Sequence, residues 1–431
     1  MNVLLIGSGG REHAIAWKVA QSSLLSMLYV APGNAGTSEF STNVDLNPMD
    51  FAAVGRFVNK NDIKMIIVGP EAPLVAGIVD YFEDSGKFDD LILIGPKKAG
   101  AMLEGSKDFS KAFMARHNIP TAEYGTFKSN QIKEAKKFLD NMTPPYVLKA
   151  DGLAAGKGVI ITEDRAEAEN TIEDMLSGNA FGEAGSRVVI EQFMQGIEAS
   201  CFVVTDGDAY RILPYAKDYK RVGEGDTGPN TGGMGAVSPV PFVNAEFREK
   251  TLNQIIIPTI KGLKEDGIPY KGFIFIGLMK VGSDPYVVEY NCRMGDPETE
   301  VVIPRIKSDL LHMFDSLGSG MLSEYDLEFD ERTATTVILT SGGYPGSYEK
   351  GKAISGLDHK VDPKEGIVFH AGTKVSRGKT ITNGGRVIAC TGLGANIEKA
   401  LGRSYASAER IAFEGKQYRK DIGRDVMPEE A

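Results

Sequence analysis

The sequence opens with MNVLLIGSGGREHAIAWKVA, residues 1–20, and this stretch predicts the fold of the first unit. The apolar run at residues 2–6 ends in glycine and predicts a buried strand, and the apolar spacing over residues 11–20 predicts a helix. A glycine turn between them leaves backbone N–H groups at the helix amino terminus open to an anion. A tight strand-to-helix turn without a ligand explains the same residues, so the motif alone is weak.

Three more apolar runs follow, and each ends in glycine or proline. They cover residues 27–31, 65–68 and 91–94, with helical segments between them. Strands and helices that alternate at this spacing predict a parallel sheet with crossover helices. In such a sheet the loops at the carboxyl ends of the strands face a binding crevice. We assign this α/β unit to residues 1–103.

The remainder of the chain has a different pattern of elements. From residue 105 to about 307, consecutive strands and separate helices predict α+β sandwiches, including a hairpin of residues 273–281 and 286–291. From about residue 330, β-branched strands separated by Gly/Pro turns precede a predicted helix over 395–412. This last part predicts a small β-rich domain that closes over the site.

Composition and charge restrict the class of protein. The chain has 431 residues, enough for two to four domains, and a formal net charge of −10 with a pI of about 5.3. A protein that binds nucleic acid is normally basic, so we expect no nucleic-acid partner. The three cysteines are far apart, which indicates neither a disulfide framework nor a zinc site. Because no apolar run could span a bilayer and the start lacks a signal-peptide pattern, we expect a cytoplasmic protein with no membrane partner.

Lysines and glycines in the middle of the chain indicate a nucleotide site. The tripeptide GSK at 105–107 introduces a helical stretch, and Lys149 ends a mostly apolar strand, where an unpaired ammonium is unfavourable. Small residues in DGLAAGKG, residues 151–158, let backbone amides approach phosphates, and Lys157 adds charge. The spacing is not that of a Walker loop, because Gly158 follows the lysine. A flexible hairpin with solvated lysines is the alternative.

The stretch EYNCR, residues 289–293, is the most informative one. Alternate residues on a strand face the same side, so Glu289, Asn291 and Arg293 should project together. A carboxylate and an amide oxygen suit magnesium, which takes few protein ligands besides water and phosphate. An arginine beside them is suited to hold a transferring phosphoryl group. A salt-bridged polar strand face is the alternative.

Two further segments complete the pattern. The strand end EQFM, residues 191–194, can present backbone groups to an adenine edge, and Glu198 can accept ribose hydroxyls; an edge strand with charged ends is the alternative. The segment DTGPNTGGMG, residues 226–235, lies near DYKR at 218–221 and predicts an anion-cradling loop. A mobile surface loop would have the same composition.

In this order, the motifs resemble those of the phosphoribosylamine–glycine ligases, also called glycinamide ribonucleotide synthetases, of the ATP-grasp superfamily. The resemblance spans almost the whole chain and is carried by GSGGREHA from Gly7, GPEAPL from Gly69, GSK from Gly105, LKADGLAAGKGV from Leu148, GPNTGGMGA from Gly228, EYNCRMGDPETE from Glu289, SGGYPGSYEKG from Ser341, VFHAGT from Val368 and GGRV from Gly384. NTGGMGA followed by NCRxGDPE is highly specific, unlike a lone glycine loop.

The resemblance implies three units: a pre-ATP-grasp domain with a parallel sheet at 1–103, an ATP-grasp domain at 104–328 with a mobile lid at about 121–190, and a small β-rich C-terminal domain at 329–431. It implies ATP, glycine and 5-phosphoribosylamine as small-molecule partners, with Mg²⁺ or Mn²⁺ as the metal. The products would be glycinamide ribonucleotide, ADP and phosphate, in purine biosynthesis. The sequence is compatible with a monomer.

The same resemblance implies roles for individual residues. The ATP-binding residues would be Lys107, Lys149, Gly152, Lys157, Glu191, Phe193 and Glu198. The metal ligands would be Glu289 and Asn291, and the catalytic residues would be Arg293, Asp218 and Lys220. The other substrates would contact Gly10, Arg11, Glu71, Asn230, Thr231, Gly232 and Asp296. Whether glycine meets Asp218, Arg293 or Asp296 stays open.

Two positions depart from the family pattern, and three alternatives remain. Tyr219 stands where histidine is usual, which excludes an obligatory histidine base there, and Gln192 stands where a second glutamate is common. The alternatives are a relative that phosphorylates another acid such as formate or bicarbonate, a nicotinamide-dependent oxidoreductase, and a nucleotide-binding regulator without turnover. Glu12 in place of the third glycine of G-x-G-x-x-G, and the lack of an acid after the second strand, disfavour the oxidoreductase. The intact polar face at 289–293 disfavours the regulator.

Overall fold

Five parallel strands form the first sheet, as the alternation of strands and helices predicts. The computed structural model describes residues 1–152, 158–177, 187–358 and 361–427. The strands of this sheet are β1 Asn2–Gly7, β2 Met27–Pro32, β3 Thr42–Asn43, β4 Ile63–Val68 and β5 Ile92–Ile94, and the helices beside them are α1 Gly10–Val19, α2 Phe51–Lys60, α3 Glu71–Ala76, α4 Ile78–Glu83 and α5 Lys98–Gly105. Their order, β3-β2-β1-β4-β5, places the glycine turn after β1 at the centre of the carboxyl edge.

A four-stranded antiparallel sheet with two helices forms a unit with its own core. Helix α6 (Lys107–Arg116) leads into strands β6 Tyr124–Lys128, β7 Tyr146–Ala150, β8 Val159–Thr162 and β9 Arg187–Gln192 and helices α7 Ile132–Phe138 and α8 Arg165–Leu176. Leu148 and Ile190 pack against Ala168 and Ile172 in a cluster separate from the other apolar clusters of the described residues. A separate core suits a lid that moves as a body, and the lid's mobility stays a prediction.

A second antiparallel sheet carries the predicted hairpin. It contains β10 Ile197–Thr205, β11 Tyr210–Ile212, β16 Gly272–Val281 and β17 Asp284–Asn291, and the helices of this region are α9 Ala245–Thr251, α10 Ile257–Glu265, α11 Thr299–Val302 and α12 Leu310–Gly318. Gly277 pairs with Glu289 and Leu278 with Val287, so Val288 forms a bulge. A bulge re-aims the side chains that follow it, and here it directly precedes Glu289.

The third sheet joins segments from two of the expected domains. Strands β12 Lys217–Asp218 and β15 Gly235–Ser238 pair into it with β18 Thr333–Thr340, β19 Gly366–His370 and β22 Arg386–Gly394, and helix α13 Ile397–Arg410 packs on it. Asp218 therefore lies on the C-terminal sheet, although it precedes the expected boundary at 328/329. Two hairpins complete the elements, namely β13 Arg221–Gly223 with β14 Thr227–Asn230, and β20 Thr373–Ser376 with β21 Lys379–Thr382.

One sequence interpretation needs correction. The segment 226–235 is not a loop throughout, because β14 occupies residues Thr227–Asn230 and pairs with β13. In the described ranges no helix is both long and apolar enough to cross a membrane.

Candidate active site

Glu191 holds two lysine ammonium groups at the base of the lid sheet. Its Oε1 lies 2.9 Å from Lys149 Nζ and its Oε2 lies 3.0 Å from Lys111 Nζ, and all three side chains are between 3% and 7% exposed. Burial raises the pKa of Glu191, but the two lysines outweigh burial and the pKa lies below its usual value. Burial also lowers the pKa of Lys111 to about 8. Because its carboxylate is occupied in this way, any contact of Glu191 with adenine would use backbone atoms.

Asp151 connects the end of β7 to the first turn of α6. Its Oδ1 accepts hydrogen bonds from the backbone N–H of Lys107 at 2.7 Å and from Ser106 Oγ at 3.0 Å. Lys107 Nζ donates to the carbonyl of Gly152 at 3.0 Å, and Gly152 has a φ of 96°, which favours glycine. Burial lowers the pKa of Lys107, while the carboxylate of Glu289 opposes this shift. Lys157, predicted in the same loop, lies outside the described residues.

Glu289 and Asn291 provide the oxygen atoms expected of a metal site. Gly277 faces Glu289 across the hairpin, and a Cβ at position 277 would lie 3.4 Å from Glu289 Cγ. Asn291 is 7% exposed, its Nδ2 has no hydrogen-bond partner among the described residues, and its Oδ1 accepts from Arg293 Nη2 at 3.3 Å. This pair fits a divalent cation that takes its other ligands from phosphate and water. Across the described ranges, no group of three or more His, Cys, Asp or Glu residues could hold a metal ion.

Arg293 lies between two carboxylates, one at the start of α3 and one near the end of α5. The alternation predicted that Arg293 lies on the strand face beside Glu289 and Asn291. This prediction is wrong, because strand β17 ends at Asn291 and Arg293 lies in the bend that follows. Its Nη2 donates to Glu104 Oε1 at 2.7 Å and its Nε donates to Glu71 Oε2 at 3.2 Å. The structure thus brings Arg293 to Glu71 and still leaves it beside Asn291.

A second group of charges surrounds Lys220. Its ammonium pairs with Glu198, and burial raises the pKa of the adjacent Asp218 while Lys220 opposes that shift. Glu298 accepts a hydrogen bond from Ser200 Oγ at 3.0 Å, and burial together with Asp218 raises its pKa to about 7. Glu298 was not among the predicted site residues. A buried acid that titrates near neutral pH is a candidate for proton transfer.

A cavity of about 720 Å³ separates the glycine turn of the first sheet from the C-terminal unit. Arg386 organises its wall: Nη1 donates to the carbonyl of Gly232 at 2.5 Å and to the carbonyl of Asp296 at 2.8 Å. The same Nη1 lies 3.1 Å from Asp296 Oδ1. The polar residues that line the cavity are Ser8, Asn34, Ser38, Asn43, Asp296, Tyr344, Thr373, Lys374, Asn383 and Arg386.

Gly10 and Arg11 lie beneath the glycine turn and do not line this cavity. A Cβ on Gly10 would lie 2.2 Å from Glu300 Oε1, so any larger residue there requires the buried side chain of Glu300 to move. Arg11 is 7% exposed, its Nε donates to Glu12 Oε1 at 2.6 Å and its Nη1 donates to the carbonyl of Met294 at 3.2 Å. Arg11 therefore holds the turn against the GDPE segment, and a direct substrate contact stays a prediction.

Three other predicted residues lie at the edges of these groups or beyond them. Asn230 is exposed and pairs with Arg221 in the hairpin, and Phe193 is 36% exposed beyond β9. Thr231 Oγ1 donates to the carbonyl of Lys220 at 2.7 Å. Thr231 thus supports the backbone of Lys220, and the predicted ligand contacts of all three residues stay predictions.

Tyr219 points away from Asp218 and into the C-terminal core. Its hydroxyl donates to Asp425 Oδ1 at 2.6 Å, and its side chain is buried. Lys217 Nζ lies 3.9 Å from the centre of the Tyr219 ring and 2.9 Å from Asp425 Oδ2. The Tyr219 side chain thus joins the C-terminal segment around Asp425 to strand β12, which carries Asp218. These contacts explain how a tyrosine is accommodated at position 219.

Replacing Tyr219 by phenylalanine should lower stability and leave turnover unchanged. The variant loses one buried hydrogen bond to a carboxylate, which we expect to cost about 1–2 kcal/mol, while Asp425 keeps Lys217 as a partner. The thermal midpoint and kcat test this. Loss of kcat without loss of stability would show that the hydroxyl takes part in the chemistry.

Replacing Glu300 by glutamine should stabilise the protein at pH 8. Glu300 is 1% exposed, and both of its carboxyl oxygens lack a hydrogen-bond partner among the described residues. Burial and the nearby Asp296 raise its pKa well above the usual value, although Arg386 opposes them. As pH rises, the Glu300 carboxyl ionises in the unfolded chain at its ordinary pKa of 4.5, but in the folded chain only at a higher pH. The free energy of unfolding therefore falls between these two pKa values.

Denaturant unfolding at pH 5 and pH 8 tests this prediction. We expect the free energy of unfolding of Glu300→Gln to exceed that of the parent by about 1 kcal/mol or more at pH 8, with a smaller difference at pH 5. Glu331→Gln, at an exposed position, is the control. An equal difference at both pH values would contradict the buried neutral carboxyl.

The fold and the central segment define an ATP-grasp protein. Residues 105–299 match the family model described as phosphoribosylglycinamide synthetase, ATP-grasp (A) domain, and residues 1–104 and 334–425 match the N and C domain models of that synthetase. The biotin carboxylase domain of a 2-oxoglutarate carboxylase from Hydrogenobacter thermophilus shares the fold, with a TM-score of 0.75 at 18% identity over 99% of this chain and 95% of that one.

Full-length relatives specify the family. A phosphoribosylamine–glycine ligase from Yersinia pestis is 48% identical over 427 residues, which cover 98% of each chain. The crystal structure of a phosphoribosylamine–glycine ligase from Thermotoga maritima has a TM-score of 0.83 and 36% identity, covering 98% of this chain and 100% of that one. The chain therefore belongs to the phosphoribosylglycinamide synthetase family.

Proposed function

We propose that this chain joins glycine to 5-phosphoribosylamine through a glycyl phosphate, with Mg²⁺ bound by Glu289 and Asn291. Family membership and the full-length likeness to phosphoribosylamine–glycine ligases make it an ATP-dependent ligase of purine biosynthesis. Its ATP-grasp domain uses ATP with a divalent metal. We further propose that it works in the cytoplasm on small molecules, since its net charge of −10 disfavours nucleic acid.

The observation that carries the mechanism is the convergence of opposite charges at the end of β17. Burial lowers the pKa of Lys107, and the carboxylate of Glu289 opposes that shift. Glu198, Asp218 and Glu289 outweigh burial and raise the pKa of Lys220, and Arg293 lies within hydrogen-bond distance of Asn291. Phosphoryl transfer needs this combination, because catalysis rests on positioning and charge neutralisation and not on a protein nucleophile.

In the first step, a carboxylate oxygen of glycine forms a bond to the γ-phosphorus of ATP as the bond to ADP breaks. Lys107 and Lys149 neutralise the phosphates, and Arg293 holds the phosphoryl group in transfer. A metal bound at Glu289 and Asn291 supplies further charge neutralisation. The buried carboxylate of Glu191 lies 2.9 Å from Lys149 Nζ and keeps this ammonium charged.

In the second step, the amine of phosphoribosylamine forms a bond to the acyl carbon, and the bond to phosphate breaks. The attacking nitrogen must lose a proton. Glu298 is suited to accept it, since burial together with Asp218 raises its pKa to about 7. We place the sugar phosphate in the 720 Å³ cavity, where Lys374 and Arg386 offer positive charge.

Oxygen transfer tests the glycyl phosphate directly. With glycine labelled by ¹⁸O in its carboxylate, one labelled oxygen should appear in each inorganic phosphate released. Unlabelled phosphate would mean that phosphate leaves ATP without passing through the carboxylate. Formate and bicarbonate, tested in place of glycine, should release no ADP above background.

A further inference from the structure

Glu104 binds the side chain of Arg293 and the backbone beside it with one carboxylate. Its Oε1 accepts from Arg293 Nη2 at 2.7 Å. Its Oε2 accepts from the backbone N–H of Cys292 at 2.9 Å and from the Cys292 thiol at 3.2 Å. Glu104 is the penultimate residue of α5, the helix that ends the first unit, and its side chain is 7% exposed.

The other contacts of Arg293 are longer. Nε lies 3.2 Å from Glu71 Oε2, Nη1 lies 3.2 Å from the carbonyl of Met294, and Nη2 lies 3.3 Å from Asn291 Oδ1. Glu71 is also much more exposed than Glu104, with 32% of its side chain accessible. A phosphate that enters the site can therefore replace Glu71 on the guanidinium more easily than it can replace Glu104. Glu104 is buried and also accepts a hydrogen bond from the backbone of Cys292.

Charge makes this contact mutually dependent. The carboxylate of Glu104 and the guanidinium of Arg293 lie 2.7 Å apart and are both largely buried, so each offsets the desolvation of the other. An arginine has several rotatable bonds, and one short, buried ion pair at the end of its side chain selects a single orientation.

We propose that Glu104 is a positioning residue for phosphoryl transfer, which holds Arg293 in the orientation that meets the transferring group. This inference rests on the role of Arg293 proposed above. Glu104 would act through Arg293, because both of its carboxyl oxygens are bound to Arg293 and Cys292. Since a misplacement of about 1 Å can reduce turnover roughly a hundredfold, loss of this contact should affect kcat strongly.

Glutamine at position 104 tests the charge with little change in shape. An amide that still accepts from the Cys292 N–H must turn its NH₂ group toward Arg293, so one of the two contacts is lost. We expect kcat to fall about 10- to 100-fold, with the KM values of ATP and glycine changed less than about threefold. Glu104→Asp, which is too short to reach both partners, should show the same selective loss of kcat if Glu104→Gln does not fold.

The decisive measurement is a double-mutant cycle of Glu104→Gln with Arg293→Lys, on variants whose fold is checked by circular dichroism and thermal unfolding. If Glu104 acts through Arg293, the double variant should be no slower than Arg293→Lys alone. Two outcomes would overturn the role of Glu104 only. One is a double variant whose loss of kcat equals the product of the two single losses, and the other is a normal kcat for folded Glu104→Gln when Arg293→Lys is impaired. A normal kcat for Arg293→Lys would overturn the proposed role of Arg293 as well. Glu167→Gln, an exposed glutamate of the lid unit, is the matched control and should behave like the parent.

Discussion

Glu289→Ala should lower kcat about a thousandfold at saturating ATP while the protein stays folded. The substitution removes the only carboxylate of the two proposed metal ligands and also the negative charge that faces Lys107 and Lys220. Losing one group that stabilises charge in the transition state typically reduces turnover by a factor of about 10² to 10³. Glu289 lies at a partly buried position beside Gly277, so alanine leaves no large apolar cavity.

Turnover measured over a range of Mg²⁺ concentrations tests this prediction. Part of the activity should return at high Mg²⁺, because Asn291 and the phosphates of ATP would still bind the ion weakly. Asp284→Ala, at an exposed position at the start of the same strand, is the control and should keep parental activity. Near-parental turnover of Glu289→Ala at ordinary Mg²⁺ concentrations would contradict the assignment of Glu289 as a metal ligand.

Lys149→Met should lower kcat/KM for ATP by a factor of about 10² to 10³. The lysine is the penultimate residue of β7, its ammonium lies 2.9 Å from Glu191, and its positive charge is the feature proposed to neutralise phosphate. Methionine keeps most of the side-chain volume. Glu191 also keeps a partner, because Lys111 lies 3.0 Å from its other oxygen, so the variant should fold.

Lys111→Met is the matched control for this prediction. Both variants remove one of the two ammonium groups bound to Glu191, and both positions are buried. If Lys149 contacts ATP, Lys149→Met should lose at least about ten times more kcat/KM for ATP than Lys111→Met. Equal losses would mean that the two lysines serve only to compensate the charge of Glu191.

The elements that the sequence predicts well are those in which local pattern and tertiary context agree. The strand at 2–6, the glycine turn and the following helix were predicted within one residue at most boundaries, because β1 is buried on both faces and its apolar run is continuous. The hairpin β16–β17 was predicted from its two apolar runs on either side of a Gly/Pro turn. Its bulge at Val288 was not, because a bulge depends on pairing with the partner strand.

Long-range pairing explains the parts of the site that sequence patterns missed. Strands β12 and β15 are short, and they become strands only by pairing into a sheet whose other members begin at Thr333. Arg386 meets Gly232 across 154 positions, and Glu104 meets Arg293 across 189. The motif GGRV marked the region of Arg386, but a lone glutamate at the end of a helix offered no local signal for Glu104. Glu298 was visible in GDPE, and its pKa follows only from burial beside Asp218.

The most direct test of the account is ADP release by the purified protein with ATP and Mg²⁺, measured with glycine and freshly generated phosphoribosylamine together and then singly. We predict that release at the full rate requires both substrates and yields one glycinamide ribonucleotide for each ADP. ADP release at the same rate without phosphoribosylamine, or with another acid in place of glycine, would contradict the assignment.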